Sequence, residues 1–483
     1  MSLKEKAISG VSWLFIQKVA TQGVSFLTTI VLARIILPED FGLIGMIYVF
    51  IGIGNVLLDA GFSASLIRSQ FVDQADLSTV FYFNIIASVG VYLLSYALAP
   101  FIASFLGHDI LIIIIRVYSI SFIFTAFTAI QNVMLIKEMR FKTQFYISLP
   151  SSILSGIVGI VFALLGYGVW ALVWSGVAKS FFYSVQLWIH NKWRPSLVFD
   201  KKKFKYHFNF GSKLAINEIF NVIFVNLYPF FIGKFYTPTQ VAYYTQSETL
   251  KQVPVANIYG SINVISFPLF SSIQEDLLRL REAYKKNIIY SYFILTPILI
   301  FMLVLAKSIL IFLYTDKWVD ATPYLQILCI IGIISPLKNT SLNILKTKGH
   351  GSLFLKLETF NKIITIISIF LSINFGIIIF LWAKVICEII SLLFNSYYAG
   401  RILNYSLLKQ IQDIIPILAI SCITGILIYI LHNIISFYKI QHFVNILICG
   451  IISFSIYASL SFFFKKNLFI EIRDIILKKI AKT

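Results

Sequence analysis

Charge is scarce in this sequence. Only 13% of its 483 residues are Asp, Glu, Lys or Arg, against about 25% in soluble domains. That is too little to cover the surface of a soluble protein of this length. Long polar stretches are missing too, which excludes a separable soluble domain. Cysteine is rare. Cys329, Cys387, Cys422 and Cys449 lie in apolar runs without zinc-type spacing, and they read as small core residues. The six histidines sit at segment ends or in loops, and no HExxH occurs. GxSxG, Walker A and GxGxxG are also absent. No large loop is available to hold a sugar nucleotide. The sequence therefore gives no grounds to expect an enzyme, a bound metal or a cofactor.

What is present is apolar. Hydrophobic residues make up 58% of the chain, and the mean hydropathy is +0.86. A membrane helix needs about 20 mostly apolar residues. Fourteen segments meet this, from 11–36 to 443–464, so the fold class is all-α and polytopic. The seventh (207–235) and eighth (240–270) are long and carry several charges each. The N-terminal segment has a basic start, but Gln17, Lys18 and Gln22 interrupt it, so it reads as a retained first helix rather than a removed signal peptide.

The formal charge is +19, from 40 basic and 21 acidic residues. Sorting the loops places 27 basic residues on one face and 5 on the other, with 8 inside the segments. The basic face marks the cytoplasm, so both termini are expected there. Basic loops then report orientation and touch membrane lipids. Nucleic acid is not expected as a partner, because the aromatic residues lie in the spans rather than on a basic folded surface.

An internal repeat orders the chain. Gly10, Arg34 and Pro38 correspond to Gly211, Lys234 and Pro238, at an offset near 200. Phe105 to Asp109 corresponds to Phe312 to Asp316, and Met134 to Lys137 corresponds to Asn343 to Lys346. The tight hairpins Gly166-Tyr167-Gly168 and Asn374-Phe375-Gly376 follow in register. The expected organisation is a six-helix lobe over 1–205, a second over 206–400, and two further helices with a basic tail over 401–483. Six spans each make the repeat parallel, with a cavity between the lobes.

Charges within the membrane cost about 2.5–3.5 kcal/mol each at a helix centre, so they are the candidate functional groups. Span one carries a polar stripe with Gln17, Lys18, Thr21, Gln22 and Ser25. Span seven carries Lys213, Asn217, Glu218 and Asn221 on one helical face. Span eight carries Glu248 and Lys251, then Pro254, whose missing amide suits a hinge as well as a fixed kink. Two readings stay open. In one, Lys18, Lys213 and Lys251 line a cavity for a phosphate-type group, beside Asn217 and Asn221, with Arg116 as a further wall residue. In the other, Lys213 pairs with Glu218 and Lys251 with Glu248. Lys384 and Glu388, spaced i,i+4, read as a local pair, and Lys338 is expected to reach the cytoplasmic boundary.

Four stretches resemble the bacterial polysaccharide exporters. They are LARIILPEDFGLIGM (Leu32 to Met46), FGSKLAINEIFN (Phe210 to Asn221), IGKFYTPTQVAYYTQSETL (Ile232 to Leu250) and VISFPLFSSIQED (Val264 to Asp276). DKWVDATPYLQIL (Asp316 to Leu328) resembles the same group, the Wzx-type O-antigen and capsule flippases of the multidrug/oligosaccharidyl-lipid/polysaccharide superfamily. The resemblance implies fourteen helices in two lobes, a cationic cavity and alternating access. It also implies an undecaprenyl-pyrophosphate-linked oligosaccharide as substrate, moved to the periplasmic leaflet, and polysaccharide polymerase machinery as a partner. Lys18, Lys213 and Lys251 match its cationic positions. Glu218 or Glu248 would couple Na+ or H+, since a carboxylate in low dielectric can exchange protons. The rival readings are a cation-coupled multidrug exporter of the same architecture and a membrane glycosyltransferase or polymerase.

Overall fold

The computed structural model describes residues 3–438, 441–466, 469–471 and 473, with side chains from Gly10 onward except Val11. Lys439 and the tail lysines Lys478, Lys479 and Lys482 lie outside the described residues, as do the side chains of Lys4 and Lys6. The protein is nearly all helical, with no strand among the described residues. It divides into two compact units, Met1–Ala242 and Tyr243–Thr483.

The first unit begins with α1 (Leu3–Ile35), α2 (Pro38–Asp59), α3 (Phe62–Arg68) and α4 (Gln74–Leu106). Three short helices follow, α5 (Ile110–Tyr118), α6 (Ile120–Ala126) and α7 (Ala129–Lys137). It continues with α8 (Phe141–Leu164), α9 (Val169–His190), α10 (Lys201–Val225) and α11 (Leu227–Phe235). Helix α12 (Pro238–Pro254) leads into the second unit, which holds α13 (Gly260–Ser272), α14 (Leu277–Val304), α15 (Ala306–Tyr314) and α16 (Thr322–Thr347). The chain closes with α17 (Gly351–Ser372), α18 (Ile377–Ile402), α19 (Leu407–Phe437) and α20 (His442–Phe464).

Ten of the described helical stretches are long and apolar enough to cross a membrane, and twelve if each bent pair is one span. The expected fourteen exceeds this count for two reasons. Helices α9 and α17, of 22 residues each, carry Lys179 and, in α17, Lys356, Glu358 and Lys362, and neither is among the twelve. The fourth and seventh segments are broken, by 42° before Ala129 and by 49° between Val225 and Leu227. Hydropathy alone does not register such bends.

Local chemistry explains the helix ends. Asp73 and Asp76 form a reciprocal capping box at the start of α4 (2.9 and 3.0 Å), satisfying two backbone donors that a helix start leaves free. Asp200 caps α10 through the amides of Lys202 and Lys203. The tight hairpins turn on Gly166 (φ +81°) and Gly376 (φ +90°), a region that glycine enters without steric cost.

Two lysines cap helix ends. Lys137, at the end of the fourth span, donates to the carbonyls of Leu66 (3.0 Å) and Ser69 (2.6 Å) at the end of α3. Lys348, past the end of α16, donates to the Gln274 carbonyl (2.7 Å) beyond α13. Cations there satisfy carbonyls that the helix leaves unpaired and oppose its dipole. These lysines were expected to report orientation only; both also bind backbone.

Within the first unit α10 is fastened to α2, α3 and α4. A Cβ on Gly211 would lie 2.5 Å from the Ala60 carbonyl oxygen, so only glycine permits this approach. Beside the seam His207 is almost fully buried, with Nδ1 2.8 Å from Ser65 Oγ and Nε2 3.3 Å from Asp76 Oδ1. Lys203 Nζ lies 2.5 Å from Asp73 and 3.1 Å from Asp76. Its hydrogen bond holds the Asp73 carboxyl well below the usual carboxylate range.

Cys329, Cys387 and Cys449 are buried, as small core residues should be. Cys422 departs from that expectation. It is exposed on α19, on a helix face without a protein neighbour to cover it.

Candidate functional site

In the first unit the candidate residues lie on exposed helix faces. Helix α1 packs on α8, where Thr28 sits against Gly156 at a distance that a Cβ would close to 2.5 Å. Lys18 is exposed on α1. Thr21 and Thr29 of the same stripe return their hydroxyls to the carbonyls of Gln17 (2.7 Å) and Ser25 (2.9 Å). This satisfies them without a partner helix.

Lys213, Asn217, Glu218 and Asn221 are all exposed on α10. The alternative pairing of Lys213 with Glu218 is not what forms. Glu218 instead accepts from Asn221 Nδ2 (3.3 Å), and Lys213 makes no ion pair among the described residues. The five-residue separation explains this, since helical neighbours meet at i,i+3 and i,i+4. Arg116 of α5 stands over the Tyr96 ring at 3.9 Å and reaches the Tyr96 carbonyl at 3.4 Å. It is a cation–π contact with α4.

The second unit is built differently. Lys251 and Glu248 form an ion pair at 2.6 Å, with side chains 7% and 33% exposed, as the pairing alternative anticipated. The Lys251 stem runs over α16 at Gly332, where a Cβ would meet its Cγ and Cδ at 3.3 Å. The other carboxylate oxygen of Glu248 is buried without a hydrogen-bond partner.

Two expectations fail nearby. Glu388 does not pair with Lys384; it pairs with Lys338 of α16, which is half-buried instead of reaching the boundary. Lys384 donates to the Tyr244 hydroxyl at 2.5 Å, 5.0 Å from the centre of that ring. Helices α16 and α18 pack along each other, so a partner on the facing helix displaces the neighbour one turn away. Three lysines and two glutamates thus converge on α12, α16 and α18. Sequence spacing could not show Lys338 with Glu388, because they are 50 positions apart.

Directly after Pro254 the helix widens into a π-helical turn, Val255–Tyr259, and continues as α13. The span from Pro238 to Ser272 is therefore continuous, with the missing proline amide absorbed in one wide turn. A hydrogen-bonded chain pins that turn. Tyr259 meets Thr340 (3.3 Å), Thr340 donates to Asn287 (3.1 Å), and Asn287 donates to Ser266. Asn343 donates to Asn263 at 2.7 Å. Such polar contacts are at home in a membrane only where they satisfy each other.

A family described as polysaccharide biosynthesis protein matches residues 31–323. The chain belongs to that family. Among its curated relatives is the teichuronic acid biosynthesis protein TuaB of Bacillus subtilis, 24% identical over 78% of each chain. Another is the lipopolysaccharide biosynthesis protein WzxC of Escherichia coli, 26% identical over 76% of this chain and 75% of its own. The fold is shared with the lipid II flippase MurJ, solved in an inward closed conformation. The TM-score is 0.75 at 18% identity, covering 94% of this chain and 99% of MurJ. An inward-facing multidrug resistance transporter of the MATE family follows at 0.63, covering 82% of this chain and 98% of its own. This family member is thus a multi-pass membrane protein that shares its fold with these two transporters.

Proposed function

We propose that this chain is a flippase, not an enzyme, that moves a lipid-linked oligosaccharide across the bacterial inner membrane for surface polysaccharide assembly. The observation that carries the reading is family membership over residues 31–323. Relatives named for teichuronic acid and lipopolysaccharide biosynthesis support it, as does a fold shared with a lipid II flippase.

The cargo is an undecaprenyl-pyrophosphate-linked glycan entering from the cytoplasmic side, where both termini lie. Lys18 and Lys213 are exposed cations without an ion pair among the described residues and receive the pyrophosphate. Lys251 is available to phosphate only when Glu248 lets go. Protonation of Glu248, or Na+ at its unpartnered oxygen, frees Lys251 for phosphate and couples the ion to the cargo. Asn217 and Asn221 serve the glycan, Glu218 holds Asn221, and the π-helical turn after Pro254 supplies the flexing point. Arg116, already engaged by Tyr96, is a wall residue. The exported glycan then passes to polysaccharide polymerase machinery.

The test is the Lys18→Ala, Lys213→Ala, Lys251→Ala triple variant in cells whose own copy is deleted. Glycan export should fall and lipid-linked intermediate accumulate on the cytoplasmic leaflet. Normal export rejects the phosphate-binding role. Resistance to organic cations with intact glycan would favour a drug exporter. Glycan of altered length would favour a polymerase or glycosyltransferase.

A further inference from the structure

Away from the intramembrane charges, a pocket of about 350 Å³ opens where α14 begins, α18 ends and α19 begins. Each of these helices is long and apolar enough to cross a membrane, so their shared end lies at the lipid–water boundary. Arg281 and Lys285 of α14 face Lys409 of α19 across the pocket.

Asp413 takes up Lys285 and leaves Arg281 and Lys409 for a ligand. Asp413 is committed inward: one of its oxygens takes Lys285 Nζ at 2.9 Å and the Tyr405 hydroxyl, with Tyr405 itself buried. Glu282 is 59% exposed and only 3.9 Å from the Arg281 guanidinium, beyond hydrogen-bond distance. Lys409 makes no ion pair among the described residues. The start of α19, 31 residues long, adds the positive end of its dipole. A fork-shaped guanidinium and a free ammonium together suit phosphate oxygens.

Exposed apolar side chains close in sequence to these two cations point to what carries that phosphate. Leu278 is 67% exposed on α14 and Leu408 is 72% exposed on α19. Leu278 lies three residues before Arg281, and Leu408 adjoins Lys409. A site for a free phosphate compound has no use for exposed leucines beside its cations. A lipid headgroup has, because its chains continue along those surfaces. We propose that this pocket binds the phosphate headgroup of an anionic membrane lipid, independently of the translocated cargo. Basic pockets between membrane helices are suited to such headgroups.

The test uses the purified full chain in nanodiscs of stated composition. The wild type should retain phosphatidylglycerol over phosphatidylcholine in native mass spectrometry. Arg281→Ala with Lys409→Ala should weaken phosphatidylglycerol binding by about fivefold per cation removed and about thirtyfold together. Arg281→Lys with Lys409→Arg keeps the charge and should keep the lipid, which separates loss of the site from loss of the fold. Equal retention by wild type and alanine variant overturns the proposal. So does equal retention of the two lipids by the wild type. Displacement of phosphatidylglycerol by millimolar inorganic phosphate would assign the pocket to a free phosphate compound and overturn its assignment to a lipid. None of these outcomes depends on whether the chain is a flippase.

Discussion

The two units treat charge in opposite ways. In the first, Lys18 and Lys213 stand exposed without ion pairs among the described residues, and the nearby acid Glu218 is occupied by an amide. In the second, Lys251 and Lys338 are each neutralised by a glutamate, while Lys384 rests on a tyrosine. An exposed cation needs no rearrangement before it meets an anion. A paired one must first lose its partner, and breaking a buried pair on one side strands the other charge. The first unit thus offers standing charge, and the second offers charge that is released on exchange.

The contrast breaks most visibly at Lys251. Lys251→Ala should cost about 3 kcal/mol, the low end for a buried pair, by leaving the half-buried Glu248 without its closest cation. Thermal unfolding of the purified protein reads this, and adding Glu248→Gln should recover most of the loss. An unchanged melting profile for the single variant would mean that the pair holds nothing. Glu388→Gln comes next, at about 1.5–3 kcal/mol, because Lys338 is only 20% exposed.

In the first unit His207→Ala should cost about 1–3 kcal/mol by leaving Ser65 and Asp76 without their shared partner. Lys18→Ala and Lys213→Ala should shift stability by less than about 0.5 kcal/mol while lowering export. If either destabilises as much as Lys251→Ala, the distinction between units fails.

The smallest effect is a pH dependence. The depressed Asp73 carboxyl contributes stability that is fully present above its ordinary value of 3.8 and is lost as pH falls through the depressed value. Wild type and Asp73→Asn should therefore differ by a constant amount at every pH above 3.8 and converge only below it. Unfolding profiles that converge near neutral pH would contradict this.

Much of the fold was legible because hydropathy and turn residues are local signals. The long apolar segments and the hairpin glycines are written in short windows. Helix breaks were not legible, since α5, α6 and α7 read as one apolar run. Partner choice was legible only within a turn: Glu248 with Lys251 could be anticipated, Glu388 with Lys338 could not. The i,i+4 rule describes an isolated helix, and packing of α16 on α18 overrides it. The seam at Gly61 and Gly211 carried no sequence signal beyond two glycines 150 positions apart.

That seam bears on how the chain could be divided. Helices α10 and α11 lie in the lobe expected to begin at residue 206, yet they belong to the first compact unit. A gene split between the repeats, near residue 205, would strand them on the wrong polypeptide. The glycine seam and the His207 contacts would then have to form between two chains instead of along one. A split at the unit boundary fares no better, because Ala242 lies inside α12. The repeat expected from the sequence and the compact units differ by one span.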